Sequence, residues 1–424
     1  MENKFISKFK IGILGGGRGM DMARHFAAQG CETVALCDSN EARIKFGYNM
    51  LGKEVPAFTD FDEFLKVEMD AVVIANYFHE HAPYVIKCFE KNINVFCECI
   101  TNGTMAEGVM LVEAFKKTKS IFMLAENYPQ LIYNREIKKV CDSGVLGKVL
   151  YAEGEYNHPT HVKDISFLHD YNYFAKHWRN YLPATYYITH SLGPLMYSCG
   201  GKPKTVSAFA MYEPYGDNDP TAKQTADRTA IVTILNHDGS VYRVTGCANF
   251  GAHHNSYRVC GLEGQIENVR GMEDHIMLRF NEWSVPANLK ENNLYKPEWE
   301  DENAEILKTF GGHGGADFLT VKYFLNCLKE NKQPEFPFDL ISAVSMSSVA
   351  ILGHRSVLEN GTSFNIPDFE KEEDRDLYRN DFSTPFYKSS GEAPTVACCS
   401  KKDYQATDNQ MKEYKKALKD CGIE

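Results

Sequence analysis

The sequence predicts an α/β chain: an N-terminal, doubly wound parallel sheet, followed by an α+β domain with an open, mainly antiparallel sheet. Short apolar runs alternate with helical patterns through Glu126, as in parallel sheets covered on both faces. After Lys148 the rhythm changes to longer strands of alternating character. The length of 424 residues, at ~150 per domain, gives ample chain for more than one core.

Residues 10–14 (KIGIL) form the first strand, followed by GGGRGM and a helical pattern through Ala28. A second strand, ETVALC, ends on Asp38, and a helix follows near 40–51. Next come a strand at 69–76, a helix near 80–91, the strand NVFCE, a helix near 104–118 and the strand SIFMLAE. In the second half, TAIVTILNHDGSVYRVTG reads as a hairpin turning at HDG. Strands are expected at 204–213 and 256–269. Helices are expected near 315–330 and 341–359, the latter closed by Asn360 and Gly361. The spacing predicts domains at 1–148 and 149–370, with a charged extension over 371–424 holding one amphipathic helix within 402–420.

The balance of 46 basic and 57 acidic residues gives a net charge of −11, with no lysine- and arginine-rich run. No nucleic-acid partner is therefore expected. No apolar stretch approaches the ~18 residues of a membrane span, so no membrane partner is expected either. The N-terminus lacks the pattern of a secretion signal, and a cytoplasmic location is expected. The 13 cysteines are scattered and include no CxxC pair, so reduced thiols are expected and no metal is assigned. Cys97 with Cys99 and Cys398 with Cys399 are the closest groupings. His158 and His161 read as loop histidines, and His253 and His254 carry no assignment.

The glycine turn carries the first chemistry. Gly15, Gly17 and Gly19 lie between a strand and a helix, where the backbone can approach a pyrophosphate held by helix amides. Asp38 ends the second strand about 20 residues on, placed to accept the hydroxyls of a ribose. A carboxylate there repels a 2′-phosphate, so the predicted cofactor is NAD on a Rossmann domain.

From Asp70 the text DAVVIANYFHEHAPYVIKCFEKNINVFCECITNGTMAEGVML resembles the Gfo/Idh/MocA oxidoreductase family. Glu98 keeps the first position of its Glu-Lys-Pro motif, while Cys99 and Ile100 replace the lysine and proline. Three further segments resemble one branch, the NAD-dependent glycoside hydrolases of family 109, typified by alpha-N-acetylgalactosaminidases. They are MLAENYPQLIYNREIKKVCDSGVLGKVLYAEGEYNH, YITHSLGP (Tyr187–Pro194) and GHGGADF (Gly312–Phe318). The resemblance implies Gly15, Gly17, Arg18, Asp38, Phe78, His81, Glu98 and Asn127 around NAD. It implies Tyr156, Arg179, Tyr187 and His190 around a small glycoside or sugar, with Glu126 close by and Cys99 a buried thiol near the nicotinamide. A homo-oligomer is also expected from it.

The implied reaction oxidises the third ring carbon, eliminates the anomeric substituent, adds water and reduces the ketone again. His190 suits the base for the hydroxyl proton. Tyr156 or Tyr187, aided by the cation of Arg179, would remove the second-carbon proton, and Tyr156 is the choice. Two other readings stand beside it: an NAD-dependent sugar, polyol or glycoside 3-dehydrogenase, and a non-catalytic sugar sensor.

Overall fold

The computed structural model describes residues 9–159, 177–218, 223–246, 249–298, 307 and 312–420. They form two compact units. The first takes the chain up to Ile132 with Glu298–Val344 and Asp368–Asp381; the second takes Tyr133–Pro297, Ser345–Pro367 and the chain from Phe382 on.

The first unit opens with β1 (Lys10–Leu14), α1 (Arg18–Ala28), β2 (Glu32–Cys37), α2 (Glu41–Leu51), β3 (Ala57–Phe58) and α3 (Phe61–Phe64). It continues with β4 (Ala71–Ile74), α4 (His81–Glu90), β5 (Asn94–Cys97), α5 (Met105–Phe115) and β6 (Phe122–Leu124). Its six strands are parallel in the order β3-β2-β1-β4-β5-β6. The order reverses between β1 and β4, and ligands of such sheets bind beyond the strand ends at that switch. All four residues of β4 are fully buried, which is why it reads as an unbroken apolar run. Phe26 of α1 meets Phe96 of β5 edge-on at 5.4 Å, and Phe324 of a later helix closes the group at 5.3 Å from Phe96. Local signals start the helices: Asn40 caps α2, and Thr104 with Glu107 forms a reciprocal capping box on α5.

In the second unit, α6 (Ile132–Asp142, its first residue belonging to the first unit) leads to β7 (Val149–Asn157) and α7 (Thr189–Cys199). The strands β8 (Pro203–Tyr212), β9 (Asp227–Asn236), β10 (Val241–Thr245), β11 (His254–Gly261), β12 (Gly264–Val269), β13 (Met272–Phe280) and β14 (Asn292–Tyr295) follow. Then come α8 (Ala316–Glu330) in the first unit, α9 (Leu340–Leu358), whose residues are divided between the units after Val344, β15 (Phe364–Asn365) in the second, α10 (Glu372–Asp376) in the first and α11 (Asp408–Asp420) in the second. The nine-stranded sheet runs β14-β13-β12-β11-β7-β10-β9-β8-β15 and is antiparallel except where β7 pairs with β10. That parallel pair brings β7, the first strand of the unit in sequence, into the middle of the sheet.

The two-sheet architecture agrees with the sequence reading, and HDG does turn the hairpin between β9 and β10, with Gly239 at φ 85°. One strand expectation needs correction. Residues 256–269 are two antiparallel strands, because the chain reverses at Leu262 and Glu263. Gly261 marks the reversal, since a Cβ there would lie 2.0 Å from the Leu146 carbonyl oxygen. β13 and β14 were absent from the reading. The segment 371–424, set apart as an extension, is shared between the units. Arg379 donates to Glu113 at 2.6 Å in the first unit, and the backbone N–H of Ser400 donates to Asp227 at 2.6 Å in the second.

Candidate functional site

The glycine turn follows β1 in the first unit. Gly15 has φ 102°, and a Cβ on it would sit 2.2 Å from the Ala75 carbonyl oxygen, so only glycine fits. The Gly16 N–H donates to Asp38 Oδ2 at 2.7 Å and the Asn40 N–H to Oδ1 at 2.8 Å. Two of the four acceptor positions of the carboxylate remain for ribose hydroxyls. Gly17 caps α1 without any side-chain hydrogen bond, so the first amides of the helix are left for an anion. A Cβ on Gly17 would meet only the end of Arg43, at 3.5 Å. These features fit a dinucleotide: Asp38 for ribose and residues 17–19 for pyrophosphate.

Arg18, the next residue, is tied to strand ends and to α8. Its Nε donates to Glu98 Oε1 at 2.9 Å, and Nη1 and Nη2 donate to the two carboxylate oxygens of Asp317 at 3.0 and 2.7 Å. Glu98 directly follows β5. Asn127, beyond β6, donates from Nδ2 to Asp317 Oδ1 at 2.6 Å. Asp317 is 1% exposed. Burial alone would raise its pKa, but His313 and Arg18 outweigh it and hold the carboxyl well below the ordinary range. Burial likewise opposes charge on Arg18, and Glu98 with Asp317 reverses this, keeping the guanidinium charged.

Phe78 and His81 are both buried, beyond β4 and at the start of α4. His81 lends Nδ1–H to the Ile100 carbonyl at 2.7 Å, and burial pushes its pKa down to about 4, so the ring is neutral. The peptide bond between Cys99 and Ile100 is cis. The Cys99 thiol donates to Glu126 Oε2 at 3.1 Å, and Glu126 Oε1 accepts the Tyr128 N–H at 3.1 Å. Both side chains are buried, so Glu126 belongs with the strand ends of the first unit.

The tyrosine and histidine cluster lies in the second unit. On β7, Ala152, Gly154 and Tyr156 share the buried face, while Glu153 and Glu155 pair with Arg243, Arg258, Arg270 and His254 on the other. Gly154 lets α7 come close: a Cβ there would be 2.1 Å from the Ser191 carbonyl oxygen. His190, in the first turn of α7, therefore lies against Tyr156. Ring centroids are 4.9 Å apart for Tyr156 and His190, 5.2 Å for Tyr187 and His190, and 5.8 Å for the stacked tyrosines. Pro194, inside α7, has no N–H for the carbonyl of His190 four residues back. The Tyr257 hydroxyl fills that place at 2.5 Å.

Arg179 lies in a short turn (Trp178–Asn180) with its guanidinium 4.5 Å from the Trp178 ring centre. His158, read from sequence as a loop histidine, packs 5.5 Å from Tyr156 and 4.8 Å from His253. Burial, then His253 and Arg179, push it down to about 4. His158 is the first residue beyond β7, so the loop reading holds for its backbone while its ring joins the Tyr156 cluster. Asn157 pins the loop bearing His253 by donating to the carbonyls of Phe250 and Ala252 at 2.5 and 2.6 Å. His161 lies outside the described residues. His313 and Asp317, given no role from sequence, belong with Arg18.

Residues 9–126 match the NAD-binding Rossmann fold of the oxidoreductase family, and NAD is the cofactor of this class. Residues 133–376 match the C-terminal domain of glycosyl hydrolase 109, and the chain belongs to that family. It is thus an NAD-dependent enzyme acting on glycosides. A glycosyl hydrolase family 109 protein of Shewanella sp. (strain W3-18-1) is 23% identical over 403 residues, covering 85% of each chain. Family 109 protein 1 of Bacteroides fragilis (strain YCH46) is 24% identical over 406 residues, again covering 85% of each. Among solved structures, a levoglucosan dehydrogenase in complex with NADH and levoglucosan superposes with a TM-score of 0.72 at 18% identity, over 85% of this chain and all of the other. A myo-inositol 2-dehydrogenase from Lactobacillus plantarum gives 0.62 at 18% identity, with the same coverage. These structures share the fold.

Proposed function

We propose that the protein is a redox-neutral, NAD-dependent glycosidase acting on alpha-linked N-acetylgalactosaminides or related small glycosides. The observation that carries this is the mutual packing of Tyr156, Tyr187 and His190, with His190 4.9 Å from Tyr156. NAD, when bound, supplies a hydride acceptor at the third ring carbon and returns the same hydride at the end. His190 accepts the proton of the third-carbon hydroxyl. Tyr156 removes the second-carbon proton, acidified by the neighbouring ketone, so that the anomeric substituent departs by elimination. Arg179 supplies positive charge that favours the tyrosinate. Water adds to the resulting double bond, and the two side chains give back their protons. In this reading Glu126 orients hydroxyls, and the eight residues from Gly15 to Asn127 named above hold the cofactor. The same reading includes a cytoplasmic homo-oligomer, which light scattering and fractionation would check.

The test is turnover of a nitrophenyl glycoside panel in deuterated water, following nitrophenol, NADH absorbance and deuterium at the second carbon together. Release with deuterium incorporation and no net NADH supports the reading. NADH accumulation without release would make the protein a dehydrogenase of sugars, polyols or glycosides, and binding without turnover would make it a sensor.

A further inference from the structure

The turn before α8 passes through four consecutive residues of positive φ: Gly312 at 105°, His313 at 45°, Gly314 at 58° and Gly315 at 90°. His313 is the one non-glycine among them, in a conformation that side chains disfavour. The turn delivers Asp317 into the first turn of α8, where helix amides favour an anion. That carboxylate accepts four hydrogen bonds. Oδ1 takes Arg18 Nη2 at 2.7 Å and Asn127 Nδ2 at 2.6 Å; Oδ2 takes Arg18 Nη1 at 3.0 Å and His313 Nδ1 at 3.0 Å. All four acceptor positions are filled.

Two consequences follow for the groups it holds. A carboxylate only accepts, so the His313 ring donates to it through Nδ1–H and leaves Nε2 to other partners, on a side chain 40% exposed. Arg18 has five N–H donors, and three point to Glu98 and Asp317. The remaining two, one on each terminal nitrogen, are left unused by Glu98 and Asp317.

We propose that Asp317 is a positioning residue of the cofactor site: it sets Arg18 as a two-donor edge for a phosphate and His313 Nε2 as an acceptor for a hydroxyl, and NAD is the ligand that carries both. The assignment rests on the NAD-binding fold, independently of the glycosidase reading. Its neighbours agree with a fixed ion pair. His25 Nε2 lies 3.7 Å from Asp317, yet burial pushes His25 down to about 4, so His25 adds no positive charge facing the carboxylate at neutral pH.

The test measures NAD affinity of the full-length chain by calorimetry without any sugar, in Asp317→Asn, Arg18→Lys, His313→Gln and the Arg18→Lys, Asp317→Asn double variant. Asp317→Asn is expected to weaken NAD by about tenfold or more, the scale of a lost charge-assisted contact. The double variant is expected to lose little beyond Asp317→Asn alone, because both changes break one pair. Nitrogen NMR of histidine-labelled protein, with the His313 signal identified by its loss in His313→Gln, should show the Nδ1–H tautomer in the native chain and a tautomer mixture in Asp317→Asn. Unchanged NAD affinity, additive losses or an unmoved His313 signal would overturn the proposal. Because a neutral residue at a buried ionic site can impair folding, Arg18→Lys and His313→Gln stand as independent arms, and native affinity in both overturns it as well.

Discussion

The hydroxyl of Tyr257 donates to the main-chain carbonyl of His190 across 2.5 Å, taking the place of the amide that Pro194 lacks. The first turn of α7 is thereby fastened to β11, and the His190 ring is held where the Tyr156 ring meets it.

Tyr257→Phe removes that donor and leaves a buried carbonyl without a partner, so a loss of about 1–3 kcal/mol in unfolding free energy is expected. Adding Pro194→Ala restores an N–H four residues beyond His190 and should recover part of the loss. Urea unfolding of the single and double variants checks this; an equally unstable double variant would contradict it.

Gly154→Ala puts a methyl group 2.1 Å from the Ser191 carbonyl oxygen, which α7 can relieve only by moving off β7. A cost of about 1–3 kcal/mol is expected. Because His190 moves with α7, glycoside turnover should fall by at least about tenfold while NAD affinity in the absence of sugar stays near native. Calorimetry with NAD and initial rates with the responsive glycoside separate the two effects.

Asp38→Ala removes the carboxylate proposed to accept ribose hydroxyls and to repel a 2′-phosphate. NAD affinity should drop by about tenfold and the preference for NAD over NADP should shrink. Parallel titrations with the two nucleotides decide it, and an unchanged ratio would refute the assigned role.

Burial lowers His25, His81, His158 and His354 to about 4. Each is neutral in the folded chain but protonates near 6.5 when unfolded. Between those values the unfolded state binds more protons, so stability falls as pH drops from about 6.5 towards 4, by up to about 1.4 kcal/mol per pH unit for each histidine. Asp317 has the opposite charge logic. Its lowered pKa stabilises the fold above the unfolded value of about 3.9, and that contribution is lost only under stronger acid. Urea midpoints from pH 8 to 4 should decline below 6.5, with a shallower slope in His354→Gln, whose amide can still donate to the Ala397 carbonyl now held by the ring at 2.7 Å.

Much of this was legible because it is local. The β1 run, the glycine turn and Asp38 lie within 29 residues, from Lys10 to Asp38, and each reports its own backbone requirement. The strand period likewise separates Tyr156 from Glu153 and Glu155. The ion pair of Arg18 with Asp317 was not legible, since 299 residues separate the partners and no period links them. The reversal at Leu262 was hidden for another reason: its glycines answer to Leu146 and Phe280, neither of them a sequence neighbour.

Neither compact unit is one continuous stretch of chain: the first resumes at Glu298 and again at Asp368. Synthesis therefore exposes an order of assembly. The nucleotide-binding strands leave the ribosome early, with the Arg18 guanidinium matched by Glu98 alone. Its second carboxylate arrives some three hundred residues later. A fragment ending at Ile132 would keep Arg18 with Glu98 but without Asp317, and it is expected to be less stable than the unit completed by the later segments.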